Sequence, residues 1–505
     1  MVATVTGSRL TAARRRADLA ALSAGEVVDV LVIGGGVTGA GVALDAASRG
    51  LSVALLERND LAAGTSRWSS KLAHGGVRYI ASGQVGVAWE SAVERNRLVT
   101  KIAPHLVQPM PFVLPYFPGG PRGGRAGSRL LFVVADGLRA AARTPPWLPR
   151  THWADADETQ SLAPALRPSH GAYIHVDGAL EDDARLVVAL ARTAAAQGAR
   201  IVTHCTALEV NRDGAQVRDE LTGEVGKVRA RSVIVAAGVW SGGLVTDVPL
   251  KPSKGAHIVI RAEAVEHQKV AINLLLPGTL NRFVFAAPRP DGTVLVGLTD
   301  DAVDEIEDVP SVSEADERFL LDMLSTRLRR PVTPDDVIGR YAGLRPLLGG
   351  ADDSTSADLS RRHALLDRDG VLVIVGGKLT TYRRMAQDAV DRVAAKLDHG
   401  VGCRTVTLPL VGAMPRAASG ADRLTRRFGA EAALVAGAGP ADPIAAEVPA
   451  LRCEVAWAVD AEGAITADDV LDRRLRLDLV PAWRAAAAPY VDEVLAEAGQ
   501  PRVIS

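Results

Sequence analysis

Gly34, Gly36 and Gly39 stand in the spacing GxGxxG, and Glu57 closes the next apolar run. Residues of these types, so spaced, can hold a dinucleotide. One glycine allows a tight turn, the next lets backbone approach a pyrophosphate, and the third lets a helix pack on a strand. A helix starting at that turn offers free N–H groups and a partial positive charge to the pyrophosphate. Glu57 falls where a carboxylate accepts hydrogen bonds from adenosine ribose hydroxyls. A second concentration of chemistry follows in GTSRWSSKLAHGGVRYI, residues 64–80, which carries hydroxyls, a lysine, a histidine, a glycine pair and Arg-Tyr. So many polar groups would lack partners in a core. Paired glycines beside charged groups point to close approach of a ligand.

The first of these sets needs a βαβ unit to hold it. Val28–Ile33 reads as a buried parallel strand, Ala40–Arg49 as a helix closed by Gly50, and Leu51–Leu56 as the second strand. Residues 86–103 read as an amphipathic helix, and the prolines of PMPFVLPYF fit an edge strand. A helix at 185–197 and a strand over Ala199–Val210 come next, and the buried strand Val233–Ala236 runs into a second glycine turn, Ala237-Gly238. From Gly255 the segments GAHIVIRA, RFVFAAPRP and TVLVGLTD read as strands of an antiparallel sheet. A helix at 313–329 and a strand at 337–341, ending in AGLRPLL, lead to the buried strand Val371–Val375. That strand opens into the long helix of GGKLTTYRRMAQDAVDRVAAKL. Beyond about residue 405 the chain is Ala-rich and helical, a separate C-terminal cap.

At 505 residues the chain is too long for one compact domain. It is 48% apolar and 23% charged, with a net charge of −1, so nothing in its overall balance argues for nucleic acid. Cys205, Cys403 and Cys453 are scattered and odd in number, which fits a reducing cytosol better than a disulfide frame or a zinc site. Residues 1–26 have no apolar h-region, and no run of apolar residues is long enough to span a bilayer.

The motifs VIGGGVTGAGVALDAASRGLSVALLE, TSRWSSKLAHGGVRYI, VDGALEDDARLV, KGAHIVI, AGLRPLL, VGGKLTTYR and ADDVLDRRLR span residues 28 to about 476. In this order they resemble the bacterial, respiratory FAD-dependent glycerol-3-phosphate dehydrogenases, within the glycine oxidase and D-amino-acid oxidase structural class. SSKLxHGGxRY together with GGKLTTYR is the specific part. One departure is GLTD at 297–300, where the family usually has GTTD, so a hydroxyl is absent at Leu298. The resemblance implies an α/β two-dinucleotide-binding-domain flavoprotein with an antiparallel-sheet substrate domain and an α-helical C-terminal cap. The expected division is an extension at 1–26, a discontinuous FAD-binding domain at 27–110, 176–250 and 335–400, a substrate-binding domain at 111–175 and 251–334, and a helical domain at 401–505.

The implied reaction oxidises sn-glycerol 3-phosphate to dihydroxyacetone phosphate by hydride transfer to flavin N5, with electrons passing to a membrane quinone. A glycerophosphate oxidase using O₂, or an amine or amino-acid oxidase of the same fold, stands beside it as an alternative. Removing the hydroxyl proton needs a base, and His257 in KGAHIVI is the candidate, since imidazole titrates near neutral pH. A phosphate dianion needs cationic donors. The resemblance supplies Arg78, Tyr79, Arg345, Arg361 and Lys378, with Arg345 nearest the reacting carbon; in SRRHALL either Arg361 or Arg362 could turn inward. Contacts to a non-covalent FAD are expected from Gly34, Gly36, Gly39, Glu57, Thr65, Ser66, Ser70, Lys71, His74, Gly75, Gly76, Ala207, Gly238, Gly377, Lys378, Leu379 and Thr380. The helix that opens at Gly376–Thr380 should aim its positive end at the flavin pyrimidine oxygen.

A quinone acceptor lives in lipid, so the protein should rest peripherally on the inner face of the cell membrane; a homodimer is an open expectation. Arg122, Arg125, Arg129, Arg139 and Arg143 surround Leu130–Val134, which fits an anionic headgroup surface with the apolar run entering the interface. A core helix with a solvated basic flank is the other reading of that segment.

Overall fold

The apolar run before the glycine turn becomes the centre of a sheet. In the computed structural model, which describes residues 7–76, 79–80, 83–117, 124–277, 279, 282–349, 363–416 and 420–499, Val27–Ile33 is buried along nearly its whole length. That is the pattern of a parallel strand covered on both faces. It lies between Val225–Val235 and Val53–Leu56, with Val371–Gly376 and Arg200–Val202 outside them, all parallel. His363–Arg368 extends this eight-stranded sheet antiparallel at one edge, and the strands Cys205–Asn211 and Gly214–Asp219 join through the start of Val225–Val235. Segments far apart in sequence thus meet at one row of strand ends.

The helix Val37–Ser48 starts directly after the turn, with Gly36 as its N-cap. It is buried almost all round because it packs between the helices Asp183–Ala196 and Tyr382–Lys396 as well as on the sheet. Two glycines make this geometry possible. Gly34 has φ +113°, and a Cβ there would lie 2.6 Å from Ala236 O. A Cβ on Gly39 would sit 1.9 Å from Gly34 O, so any side chain would push the helix off the strand.

The segments from Gly255 onward enter a ten-stranded, mainly antiparallel sheet. Ser253–Arg261 lies between Thr293–Gly297 and Val337–Arg345, and Ala271–Leu275 and Phe283–Pro288 continue the order. Val337–Arg345, which the sequence division grouped with the FAD-binding segments, therefore lies in this second sheet. Val107–Pro115 also differs from expectation, for it is not simply an edge. It pairs with Ala172–Leu180 along its whole length on one side, and with Ala271–Leu275 through Phe112 and Val113 on the other. Pro109, Pro111 and Pro115 share one parity, so their missing N–H groups all face the side that is mostly unpaired.

The C-terminal segment has its own core, with Val455, Val470, Leu471 and Val491 at its centre. It docks on the rest through buried ion pairs. Arg474 Nη1 lies 2.7 Å from Asp60 Oδ2, Arg473 Nε 3.0 Å from the same oxygen, and Arg185 pairs with Glu462. Among the described residues no helix is long and apolar enough to cross a membrane.

The run around Leu130 becomes the helix Gly124–Ala141. Phe132 and Ala135 are buried, whereas Leu130 and Val133 are 68% and 62% exposed. The core-helix and interface readings thus each describe one face. Arg139 does not belong to the basic surface: it is buried and donates to Leu148 O and Pro149 O. Arg122 lies outside the described residues.

Candidate active site

The ends of the parallel strands and one face of the second sheet enclose a cavity of about 730 Å³. That volume is within the ~300–1,000 Å³ usual for ligand sites. Gly34, Gly36, Glu57, Thr65, Ser66, Ser70, His74, Tyr79, Ala207, Gly238, His257, Arg345, Gly377, Lys378, Leu379 and Thr380 all line it. Gly39, Lys71, Gly75 and Gly76 do not. Gly39 acts from behind, in the helix–strand contact. Lys71 turns its ammonium to Asp183 Oδ1 at 2.9 Å and to Arg67 O at 3.2 Å. Arg78 and Arg361 lie outside the described residues.

At one end, the Glu57 carboxylate accepts from Gly35 N at 2.6 Å and Asn59 N at 2.9 Å. Burial pushes its pKa up against those two bonds. The Ser66 hydroxyl accepts from Val37 N at 2.8 Å, so the helix N-terminus stands over the turn with a polar cap. Thr65 donates to Leu344 O at 2.6 Å and ties this loop to the second sheet.

At the other end stands the chemistry of the second sheet. His257 is buried and stacked on Tyr341, with ring centroids 4.6 Å apart and planes within 13°. Its Nε2 lies 3.0 Å from Ser70 Oγ. Burial, then the charges of Arg345 and Lys71, hold its pKa well below the usual histidine value, so the ring is neutral near pH 7. Arg345 crosses over Gly255, where a Cβ would meet Nη2 at 2.1 Å. Residues 255 and 257 share one face of a strand, about 7 Å apart. Gly255 therefore makes the room that lets a guanidinium stand beside His257. Arg345 Nη1 donates to Asp300 Oδ1 at 2.9 Å and to Ser253 Oγ at 3.2 Å, and Nη2 to Thr299 O at 3.3 Å.

At the GLTD departure the three side chains have separate surroundings. Thr299 Oγ1 accepts from Ala256 N at 3.0 Å and Asp300 anchors Arg345, while Leu298 offers the cavity an apolar wall.

Gly376 and Gly377 have φ of +78° and +76°, and lead through the turn Leu379–Thr381 into the helix Tyr382–Lys396. Lys378 lies over the Tyr79 ring at 3.9 Å and bonds to Ser91.

Several groups escaped the sequence reading. Asp177 accepts from Gly75 N at 3.0 Å and pairs with Arg95, which fixes the glycine pair from beneath. His175 lines the cavity in contact with Phe112 and Phe132, and burial lowers its pKa to about 4. Asn273 also lines the cavity, buried, with its Oδ1 unpaired among the described residues. The sequence assigns these residues no role; the pairing of their strands in the second sheet brings them to the cavity.

The walls fit FAD. A close-approach glycine turn at a helix N-terminus, a buried carboxylate one strand away and a polar loop under a second helix start form one continuous cavity. An unpaired buried amide oxygen in that wall awaits a donor.

The comparisons agree with this geometry. A family model described as FAD dependent oxidoreductase matches residues 29–383, and one described as C-terminal domain of alpha-glycerophosphate oxidase matches residues 372–500. Glycerol-3-phosphate dehydrogenase 1 of Mycobacterium tuberculosis is 48% identical, over 96% of this chain and 98% of its own. The aerobic glycerol-3-phosphate dehydrogenase of Staphylococcus aureus is 35% identical over 76% of this chain and 71% of its own. The solved structure of glycerol-3-phosphate dehydrogenase from Bacillus halodurans, complexed with FAD, superposes with a TM-score of 0.74 at 28% identity, covering 96% of this chain and 94% of that one. Glycine oxidase from Geobacillus kaustophilus, at 20% identity and a TM-score of 0.53 over 73% of this chain and 95% of that one, shares the fold.

Proposed function

The chain belongs to the FAD-dependent oxidoreductase family, among the glycerol-3-phosphate dehydrogenases, and on that premise we propose that it oxidises sn-glycerol 3-phosphate to dihydroxyacetone phosphate. The observation that carries this reading is a neutral, buried His257 beside a fixed Arg345 at the far end of a dinucleotide cavity.

FAD supplies a two-electron acceptor that takes a hydride. The chain's own groups do the rest. His257 accepts the secondary hydroxyl proton at Nε2, the atom now facing Ser70. Tyr341, stacked on the ring, and Ser70 hold the imidazole in orientation. Arg345, braced by Asp300 and Ser253, offers a planar cation to the oxygen that becomes a carbonyl. Lys378, with Arg78 and one arginine of the 361–362 pair, would hold the phosphate.

The acceptor reading is a membrane quinone. In the helix Gly124–Ala141, Ser128, Leu131 and Phe132 line the cavity while Leu130 and Val133 face solvent. Arg125 and Arg129 lie on its exposed side, Arg125 stacked over Trp153 at 3.6 Å. One helix thus joins an apolar, basic surface to the cofactor cavity, which is how a lipid-borne acceptor would be served.

The test of the substrate is the product. With a soluble quinone analogue, glycerol 3-phosphate should yield one dihydroxyacetone phosphate per quinone reduced. Turnover of glycine, sarcosine or D-alanine at a comparable rate would overturn the assignment.

A further inference from the structure

The buried charges between the second sheet and the C-terminal helices do not cancel. A second cavity, of about 130 Å³, lies at this seam, and none of its arginines reaches the large one. Arg289 pairs with Asp291 at 3.4 Å, Arg426 with Glu181 at 3.2 Å, and Arg476 with Asp478 at 2.9 Å and Asp182 at 3.5 Å. Arg423 and Arg427 are left with one carboxylate between them, Glu454, at 2.7 and 3.2 Å. The lining of the cavity carries five arginines against three carboxylates, Glu181, Asp182 and Asp291, in a largely buried space where an uncompensated charge is costly. Arg423 Nη2 is buried without a hydrogen-bond partner. Burial and the charge of Arg423 push Arg427 down to about 10.

An anion is what such a set takes, because guanidinium forks match the oxygen pairs of phosphate. The volume sets the size. At ~30 Å³ per water the cavity has room for about four, the bulk of a phosphate with a short carbon chain. It is well short of the ~300 Å³ at which drug-sized sites begin, so a nucleotide is too large. Arg423 and Arg426, with side chains 16% and 20% exposed, mark the entrance.

We propose that the seam cavity is a second binding site, for a small phosphate-bearing anion gripped by Arg289, Arg423, Arg426 and Arg427. Its wall also touches the catalytic segment. Arg476 donates to Arg67 O at 2.7 Å and lies 4.0 Å from Asp183, which accepts from Ser69 N and Ser69 Oγ at 3.0 and 2.7 Å. The neighbouring residue is Ser70, the partner of His257.

Calorimetric titration of the FAD-loaded enzyme with inorganic phosphate at low ionic strength tests the site. A saturable phosphate site should be present in the wild type and in Lys378→Ala, which weakens the phosphate grip of the large cavity, and at least about tenfold weaker in Arg426→Gln. Arg426 is the outermost of the four and holds a single carboxylate, and an unchanged flavin spectrum checks that its variant is folded. A site that vanishes in Lys378→Ala but persists in Arg426→Gln would overturn the proposal, as would phosphate that never saturates, an adventitious ion only. Should Arg426→Gln fail to fold, wild-type crystals soaked in selenate decide the matter. An anomalous peak between Arg289 and Arg426 supports the site, and its absence from the seam refutes it.

Discussion

In the proposed reaction His257 and Arg345 do the chemistry, and the environment of each supports its role. A ring that stays neutral through burial is ready to accept a proton. His257→Ala should slow flavin reduction by ~10²–10⁴-fold, the usual loss of a positioned base, with little change in substrate affinity. Stopped-flow reduction near the wild-type rate would confine this histidine to a structural role. The sign of the pH dependence follows from the same burial. The imidazolium that cannot accept a proton forms only below the lowered pKa, so the acid limb of flavin reduction should lie below pH 6.5. An acid limb centred above 6.5 would assign it to another group. Glu57→Ala removes the buried acceptor at the turn and should weaken FAD retention, measured as flavin lost on dialysis; unchanged retention would deny Glu57 the ribose. Acid precipitation should release the flavin, as it does for a non-covalent cofactor.

At the scale of elements, periodicity identified strands and helices but not what their faces meet. The βαβ unit and the strand bearing His257 were legible because a fixed glycine spacing and a β-branched run each admit one structure. The partners were not. Lys71 sits in a polar loop beside ligand-facing residues, yet its ammonium is consumed by Asp183, which lies far along the chain. Arg139 falls on the same run as the exposed arginines, but helical phase turns it inward. Asp300 is legible only once Arg345 is seen to cross Gly255. For the helix Gly124–Ala141, the phase separates a cavity face from a basic, apolar one. Anionic liposomes should therefore pellet the enzyme at low salt and release it at high salt. Replacing Leu130 and Val133 by Ser together with Arg125 and Arg129 should abolish pelleting while leaving reduction by substrate intact. Pelleting that survives those changes would refute this surface.

For the whole molecule, buried titratable groups set the response to acid. His105 and His175 are held at about 4, and His257 is also lowered, all chiefly by burial. Unfolded, each takes a proton near ~6.5. The unfolded state therefore binds more protons as pH falls from about 6.5 towards 4, and stability falls with it. His204 works the other way: Asp469 raises its pKa against burial, so its contribution is present below 6.5 and lost as pH rises through the raised value. Three lowered histidines outnumber it, and the melting temperature of the FAD-loaded enzyme should be lower at pH 5 than at pH 7. The reverse order would mean that pairs of the His204 kind dominate.

The central claim, that one cavity joins FAD to the oxidation of glycerol 3-phosphate, is tested most directly by anaerobic titration of the purified yellow enzyme. Glycerol 3-phosphate should bleach the flavin to completion, and glycine, sarcosine and D-alanine should leave it oxidised. A flavin that stays yellow with glycerol 3-phosphate, or that bleaches with an amine instead, would contradict the account.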